Sequence, residues 1–226
     1  MLESLLLPQT EAIVDGPTQL LMHFDSGITD VKGHQITTFN NPAINTTRAK
    51  FGAGSLLFTA QQQLIRVAAS NDLIFSGDFT VEFFLNRIST ANINLGLFAV
   101  DSADGILLQY SNGSLYLYDA KTTSGATAAV AIAPFAPAIN TWVHVATVRF
   151  GNNWYIYSEG NRIASGVSSL GNVQALPFIV NGLRSRGASP SYAYSNTLFY
   201  MDEFAVTNGT AKYTGTTYTP PTQPLT

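Results

Sequence analysis

The chain of 226 residues contains no cysteine. Disulfide bonds and thiolate metal sites are therefore excluded. Charge is also scarce, because Asp, Glu, Lys and Arg make up 11% of the residues, against a usual share of about a quarter. The 11 basic residues are scattered and the formal net charge is -3. A surface that neutralises nucleic-acid phosphates is therefore not predicted.

Long apolar segments are missing as well. The longest one, residues 126–139, is rich in alanine and is interrupted by Pro134 and Pro137, so no membrane span is predicted. The first residues lack the basic segment and the length of a signal peptide, which favours folding where the chain is made.

Short runs that alternate between apolar and polar residues recur along the chain, whereas helical periodicity is almost absent. Such runs, bounded by Gly, Asn, Asp and Pro, are typical of strands in one all-β sandwich domain. Strands are predicted at residues 20–24, 55–58, 64–67, 78–86, 95–100, 105–110, 114–118, 141–150, 154–159, 162–166, 178–181 and 198–206. Turns at 111–113, 151–153 and 159–161 contain Asn or Gly residues that accept positive φ, and they predict hairpins.

Two of these strands indicate where the core lies. Along 78–86 the side chains of Phe79, Val81, Phe83 and Leu85 share one face, because side chains alternate along a strand, and that face is predicted to be core. The strand at 141–150 is apolar on both faces, which favours a place in the middle of a packed sandwich. The large apolar ring of Trp142 is interpreted as part of the core between the sheets and not as a sugar platform.

Six segments in order resemble the strands of a known family. They are LLMHFD at 20–25, KFGAGSLLF at 50–58, GDFTVEFF at 77–84, TWVHVA at 141–146, YIYSEGNR at 155–162 and MDEFAV at 201–206. The chain resembles laminin-G-like domains of the concanavalin A-like lectin/glucanase superfamily, in the version found in bacteriophage virion proteins. This resemblance implies an all-β, two-sheet antiparallel jelly-roll sandwich. It also implies a bacteriophage structural protein that is made in the bacterial cytoplasm and located in the virion, and the absences described above fit this setting.

The two ends of the chain differ from the middle. Residues 1–18 are predicted to form an N-terminal arm, and residues 19–226 form the sandwich. The arm carries Leu2, Leu5, Leu6 and Leu7, which are predicted to dock on another virion protein or on a second copy in a homo-oligomer; the alternative is an arm folded back on its own domain. The Thr- and Pro-rich segment after Tyr213 is predicted to lie as an ordered strap along the sandwich.

Catalysis is not predicted. Glucanases of the family set three carboxylates along one strand face, and the nearest match here is Asp78 and Glu82 with Thr80 between them. At about 3.3 Å per residue these two carboxylates lie roughly 13 Å apart, wider than the roughly 5 to 9.5 Å of glycosidases. Asp202 and Glu203 are expected on opposite faces of one strand and do not replace them. The lone His144 is interpreted as a structural, hydrogen-bonded residue.

Calcium is the one cofactor that the resemblance suggests, since lectin-like sandwiches often hold this ion with carboxylates and carbonyl oxygens. It would lie near Asp25 and Asp30, with Asp202 as a third ligand. The alternative is that Asp25 and Asp30 are turn residues and that Asp202 pairs locally. A chelator that leaves the melting temperature unchanged would exclude the calcium site.

Sugar binding needs an exposed aromatic face flanked by polar groups. The first candidates are Tyr192 and Tyr194, which lie among small polar residues in the loop 187–195. The second are Tyr116 and Tyr118, with Tyr110, expected beside Phe84 on an open sheet face. For each tyrosine the alternative is half-buried packing.

Three functions remain open. The favoured one is a non-enzymatic virion protein, a tail or head appendage, fibre or decoration, whose lectin-like domain adheres to host surface glycans. The second is a purely architectural virion protein without a sugar site. A glycan hydrolase is the third and least favoured.

Overall fold

A computed structural model describes residues 17–60, 62–89, 94–102, 105–119, 129–169, 171, 174–183 and 199–226. These residues form two antiparallel sheets and one short 3-10 helix, Asn71–Leu73. The all-β, two-sheet sandwich that the sequence predicts is therefore confirmed. Within the described ranges, no helix is long and apolar enough to cross a membrane.

The strands are β1 (Thr18–Met22), β2 (Ile36–Phe39), β3 (Ala43–Asn45), β4 (Ser55–Phe58), β5 (Leu64–Val67), β6 (Phe79–Arg87), β7 (Asn94–Val100), β8 (Leu107–Ser111), β9 (Ser114–Tyr118), β10 (Ala131–Pro134), β11 (Trp142–Phe150), β12 (Asn153–Ser158), β13 (Asn161–Val167), β14 (Phe178–Val180) and β15 (Phe199–Asn208). The eight-stranded sheet has the order β13-β12-β11-β6-β15-β4-β3, with β1 also paired to β15. The seven-stranded sheet has the order β10-β9-β8-β7-β14-β5-β2.

The core lies between the two sheets and is built by strand alternation. Phe79, Val81, Phe83 and Leu85 of β6 all belong to it, as predicted. The opposite face of β6 is buried too, since every residue of this strand is buried. Its neighbour β11 is also central in the eight-stranded sheet, which confirms the inference from its two apolar faces.

The C-terminal residues 210–226, here called the strap, explain how the outer face of β6 becomes buried. The backbone of the strap bonds to β13 and to the turn before it, through Arg162 N to Thr216 O (2.9 Å) and Tyr218 N to Gly160 O (2.8 Å). The Tyr157 hydroxyl donates to the carbonyl of Gly215 at 2.7 Å. The predicted strap is therefore confirmed, and it closes a second apolar cluster on the outside of the sheet. That cluster contains Ala146, Val148, Tyr155, Tyr157, Ala211, Tyr213 and Tyr218.

Trp142 does not lie between the sheets, and the prediction that it does is wrong. It is half-buried and alternates with Val143, which belongs to the core, so its ring lies on the outer face. The tryptophan in the core is Trp154 of β12, which is completely buried.

The expectation that Asp202 and Glu203 occupy opposite faces of β15 is also wrong. The pairing of β15 with β6 shifts register between Asp202 and Ala205, and Glu203 has a φ of 52°. These features define a β-bulge, in which one extra residue is inserted into the strand. Met201 and Phe204 on either side both enter the core, so neither carboxylate lies on the core face.

Candidate functional site

The carboxylate of Glu82 is enclosed beneath the strap. Lys212 Nζ donates to its Oε1 at 2.6 Å, and the Tyr213 hydroxyl donates to its Oε2 at 2.6 Å. Burial by itself would raise the pKa of Glu82, but His144 and Lys212 outweigh it and lower the pKa to about 2. Glu82 is therefore an ionised carboxylate whose two oxygens are already engaged.

His144 completes this buried cluster. Its Nδ1 lies 2.8 Å from the Tyr218 hydroxyl, and its Nε2 lies 3.2 Å from Glu82 Oε2. Burial raises the pKa of the Tyr218 phenol above its usual range, so the phenol keeps its proton beside the imidazole. The interpretation of His144 as a structural, hydrogen-bonded residue is confirmed.

Asp78, the second residue that a hydrolase would require, is held elsewhere. It precedes the first residue of β6, and its Oδ1 accepts a hydrogen bond from Gly151 N at 2.7 Å. Glu82 is 1% exposed, so the two carboxylates do not face a common open site. This arrangement offers no acid pair to a glycosidic bond.

At the bulge of β15 the two neighbouring carboxylates have separate partners. Asp202 Oδ2 accepts hydrogen bonds from Lys50 N (2.7 Å) and Phe51 N (3.2 Å). Burial raises the pKa of Asp202 to about 7, against the opposing effect of these backbone donors. Glu203 accepts from Leu225 N at 2.7 Å and lies 2.9 Å from His23 Nδ1, so it anchors the end of the strap.

The carboxylates suggested as calcium ligands accept hydrogen bonds from backbone N–H groups. Asp30 accepts from Leu21 N and His34 N, at 2.8 and 2.9 Å, and Asp25 accepts from Ala53 N. Among the residues that the structure describes, no group of three or more His, Cys, Asp or Glu could hold a metal ion. Calcium binding by Asp25, Asp30 and Asp202 stays a prediction.

A row of side chains on the outer face of the eight-stranded sheet forms a different kind of surface. Trp142 of β11 and Tyr200 of β15 are the direct neighbours of Asn86 of β6, one on each side. The two rings are half-buried and their centroids lie 6.4 Å apart. Asn86 beneath them is 1% exposed. The rings therefore form a small aromatic floor on the sheet.

Polar and cationic groups border this floor. The guanidinium of Arg48 lies over the Tyr200 ring at 5.3 Å from its centroid, and Arg48 Nη1 donates to Asn140 Oδ1 at 2.6 Å. We call Trp142, Asn86, Tyr200, Arg48 and Asn140 the aromatic shelf. An aromatic floor with polar groups at its rim is the arrangement that a sugar ring requires.

The shelf continues along the sheet toward the strap. In the next row Phe84 of β6 lies between His144 and Asp202. Lys50 Nζ lies 5.0 Å from the Phe84 ring centroid and 5.4 Å from that of Phe51. Among the described contacts of the strap, the one nearest the shelf joins Tyr218 to His144, which lies in this second row. The strap therefore covers Glu82 and leaves Trp142 and Tyr200 partly accessible.

The tyrosines predicted as sugar ligands have different locations. Tyr116 and Tyr118 are half-buried on β9, and their rings stack at a centroid distance of 6.5 Å. They lie on the seven-stranded sheet, whereas Phe84 lies on the eight-stranded one, so the expectation that they are neighbours is wrong. Tyr110 is a buried core residue. Tyr192 and Tyr194, and Leu2, Leu5, Leu6 and Leu7 of the arm, lie outside the described residues.

The sequence did not predict the shelf, because Trp142 was assigned to the core, where a tryptophan is more often found. Alternation gave the necessary signal, since it places Trp142 on the same face as His144 and opposite Val143 and Val145. Arg48 and Tyr200 are distant from Trp142 in sequence, and only the strand order brings them together.

Comparison with solved structures finds the same fold in other proteins. Domain 4 of AbnA, an extracellular arabinanase of Geobacillus stearothermophilus solved in complex with arabinotriose, has a TM-score of 0.62 and 17% identity, over 88% of this chain and 95% of that domain. The botulinum neurotoxin serotype D binding domain has a TM-score of 0.61 and 15% identity, over 84% of this chain. The chain spans about half of that neurotoxin domain, 48% of its length. At these identities the similarity concerns the fold.

Sequence comparison gives the family. No curated protein matches this sequence in a direct comparison. The sequence profile described as the Concanavalin A-like lectin/glucanases superfamily matches residues 60–212, which is more than half of the chain and includes strands of both sheets. The chain therefore belongs to the concanavalin A-like lectin/glucanase superfamily.

Proposed function

We propose that this chain is a non-enzymatic, lectin-like domain that binds glycans on the aromatic shelf. The half-buried ring of Trp142 carries the proposal, because a sugar ring can stack its C–H face on it. Tyr200 lies beside this ring, with Arg48 over one of its own faces. Asn140 is exposed beside them and offers an amide to sugar hydroxyls. The enclosure of Glu82 by Lys212 and Tyr213 supports binding without hydrolysis.

Replacing Trp142 with alanine is expected to weaken glycan binding about tenfold or more, since the loss of an aromatic contact of about 1.4 kcal/mol gives a factor of ten. The measurement is an array of bacterial surface polysaccharides, followed by titration of the best ligand. Phe150→Ala is the matched control, because Phe150 is an exposed aromatic residue at the opposite end of the same strand. This control is expected to bind as the wild type does.

Two further variants locate the site if Trp142 is not responsible. Loss of binding in Tyr192→Ala/Tyr194→Ala, or in Tyr116→Ala/Tyr118→Ala, with Trp142→Ala unaffected, would keep the glycan function and remove the shelf as its site. If the wild type binds none of the polysaccharides, the architectural role is favoured. Release of reducing sugar from any of them would establish hydrolysis and contradict a purely binding role.

We also propose that the domain serves host-surface adhesion in a bacteriophage virion, attached through its N-terminal arm. Low charge and the absence of cysteine support this setting, and so do Leu2, Leu5, Leu6 and Leu7, which offer apolar surface to another virion protein or a second copy.

The arm can be tested in the isolated chain. The full-length protein is expected to form a homo-oligomer, and Leu5→Ser/Leu6→Ser is expected to shift it to the monomer, because polar side chains remove the apolar contact. Light scattering after size exclusion gives the mass of each. A wild type that is monomeric, and that also fails to bind any other virion protein, would contradict the docking role and leave the folded-back arm.

A further inference from the structure

We propose that the aromatic shelf selects an acidic saccharide, whose carboxylate or other anionic group is bound by Arg48 and Lys50. This inference rests on the proposed glycan-binding function and adds the chemical class of its ligand. It begins from two cationic side chains that lie over aromatic rings on an accessible part of the sheet.

In the part of the chain that the structure describes, Arg48 and Lys50 have no acidic partner. Among the described residues the ion pairs involve His23, His34, Arg66, His144 and Lys212 as cationic or potentially cationic groups, and they do not include Arg48 or Lys50. A cationic side chain that is partly buried usually forms an ion pair with a carboxylate or keeps much of its hydration. Arg48 and Lys50 are both half-buried, so their charges are available to an incoming anion.

Arg48 is held in a fixed position with part of its fork still free. Nη1 is bonded to Asn140 Oδ1 at 2.6 Å and lies 3.5 Å from Asn86 Oδ1, while the guanidinium plane is supported by Tyr200. Within the described ranges, Arg48 donates side-chain hydrogen bonds only through Nη1. Nε and Nη2 are not among the buried polar atoms that lack a partner, so both are accessible to solvent. A planar guanidinium with two accessible donors suits a bidentate carboxylate.

Lys50 provides a second positive charge one row away. Its ammonium lies over both Phe84 and Phe51, and Phe84 is two residues from Asn86 on β6, roughly 7 Å along the strand. Asp202, the neighbour of Phe84 on β15, is completely buried and is turned to the backbone N–H groups of Lys50 and Phe51. The exposed Glu159 accepts a hydrogen bond from His144 N, on the β11 side of this row. The side of the shelf that carries Arg48 and Lys50 is therefore cationic.

A single-stranded nucleic acid also combines rings that stack with anionic groups. Such ligands need a basic groove that follows several phosphates. The shelf has two cations, and the chain as a whole has a net charge of -3. One or two anionic groups on a short saccharide match this surface better.

The test uses acidic oligosaccharides that contain glucuronate, galacturonate or sialic acid, each paired with its carboxyl methyl ester. The wild type is expected to bind at least one acid about tenfold more tightly than its ester, and raising the salt concentration should reduce this preference. The measured quantity is the ratio of the affinities for the acid and for its ester, and Arg48→Gln and Lys50→Gln are each expected to bring this ratio close to one. Lys32→Gln removes an equal charge from an exposed turn and should change nothing.

The outcomes separate this inference from the function on which it rests. Equal binding of acids and esters, unaffected by Arg48→Gln, would overturn the inference and keep glycan binding. Binding of no saccharide by the wild type would remove both. Tighter binding of an oligothymidine than of any acid, dependent on Arg48, would replace the acidic saccharide with nucleic acid. Unchanged melting temperatures of Arg48→Gln and Lys50→Gln would show that these variants report on binding and not on folding.

Discussion

Replacing Lys212 with methionine is expected to lower the free energy of unfolding by about 3–5 kcal/mol at pH 7, because it leaves a buried carboxylate without its cation. Lys212 Nζ lies 2.6 Å from Glu82 Oε1, and the Glu82 side chain is 1% exposed. In the variant only the Tyr213 hydroxyl and the neighbouring His144 remain beside the charge. Urea unfolding, followed by tryptophan fluorescence, measures the change.

The control variant removes both charges together. Glu82→Gln/Lys212→Met replaces the ion pair with neutral groups of similar size, and it is expected to recover most of the stability lost by the single change. A Lys212→Met protein within about 1 kcal/mol of the wild type would contradict the interpretation of Glu82 as a charge that depends on the strap.

The same ion pair predicts how stability changes in acid. The pKa of Glu82 is lowered from 4.5 to about 2 in the folded protein, so its contribution is complete above pH 4.5 and is lost as the pH falls toward 2. Integrated over that window, the contribution is on the order of 3 kcal/mol. The stability difference between the wild type and Glu82→Gln should therefore shrink from pH 5 to pH 2. In Lys212→Met, acid should relieve the destabilisation, since the unpaired carboxylate can then take a proton.

Much of the fold could be predicted from the sequence. The strands at residues 55–58, 64–67 and 114–118 begin and end where the alternating pattern does. Alternation works here because one face of each strand enters a common core. The turns at Asn112-Gly113 and Glu159-Gly160 adopt the positive φ angles that their residues favour.

The strands that escaped prediction are short and lie at sheet edges. β2 and β10 end the seven-stranded sheet, and β3 ends the eight-stranded one. An edge strand pairs on one side only, so it needs fewer β-branched and aromatic residues and can contain a proline, as β10 does at Pro134. Such segments lack the pattern on which the prediction depends.

The candidate site was harder to predict because it depends on contacts between distant residues. Lys212 bonds to Glu82 across 130 positions, and Arg48 bonds to Asn140 across 92 positions. Alternation shows which face a side chain occupies, but it does not show that the strap covers one part of that face and leaves another part open. The bulge at Glu203 adds a second limit, since one inserted residue reverses the alternation that the sequence suggests.

The two tryptophans of the chain test this distinction between the core and the outer face. Trp154→Ala is expected to lower the free energy of unfolding by about 3–5 kcal/mol, because it empties a space in the core that the surrounding sheets cannot fill. Trp154 packs edge-on against Phe79, with ring centroids 5.4 Å apart. Its Nε1 donates to the Ser168 carbonyl at 3.0 Å. Thermal and urea unfolding of the two proteins give the difference.

Trp142→Ala provides the matched comparison, since it removes the same side chain from the outer face. Its ring is half-buried and contacts Tyr200, so we expect a loss of about 1 kcal/mol or less, in the range of surface substitutions. For glycan binding we expect the larger effect at the other position. Trp142→Ala should weaken binding, and the milder core variant Trp154→Phe should leave it unchanged. Equal destabilisation by the two alanine variants would mean that Trp142 stabilises the fold. That result would contradict the interpretation of the aromatic shelf as a binding surface.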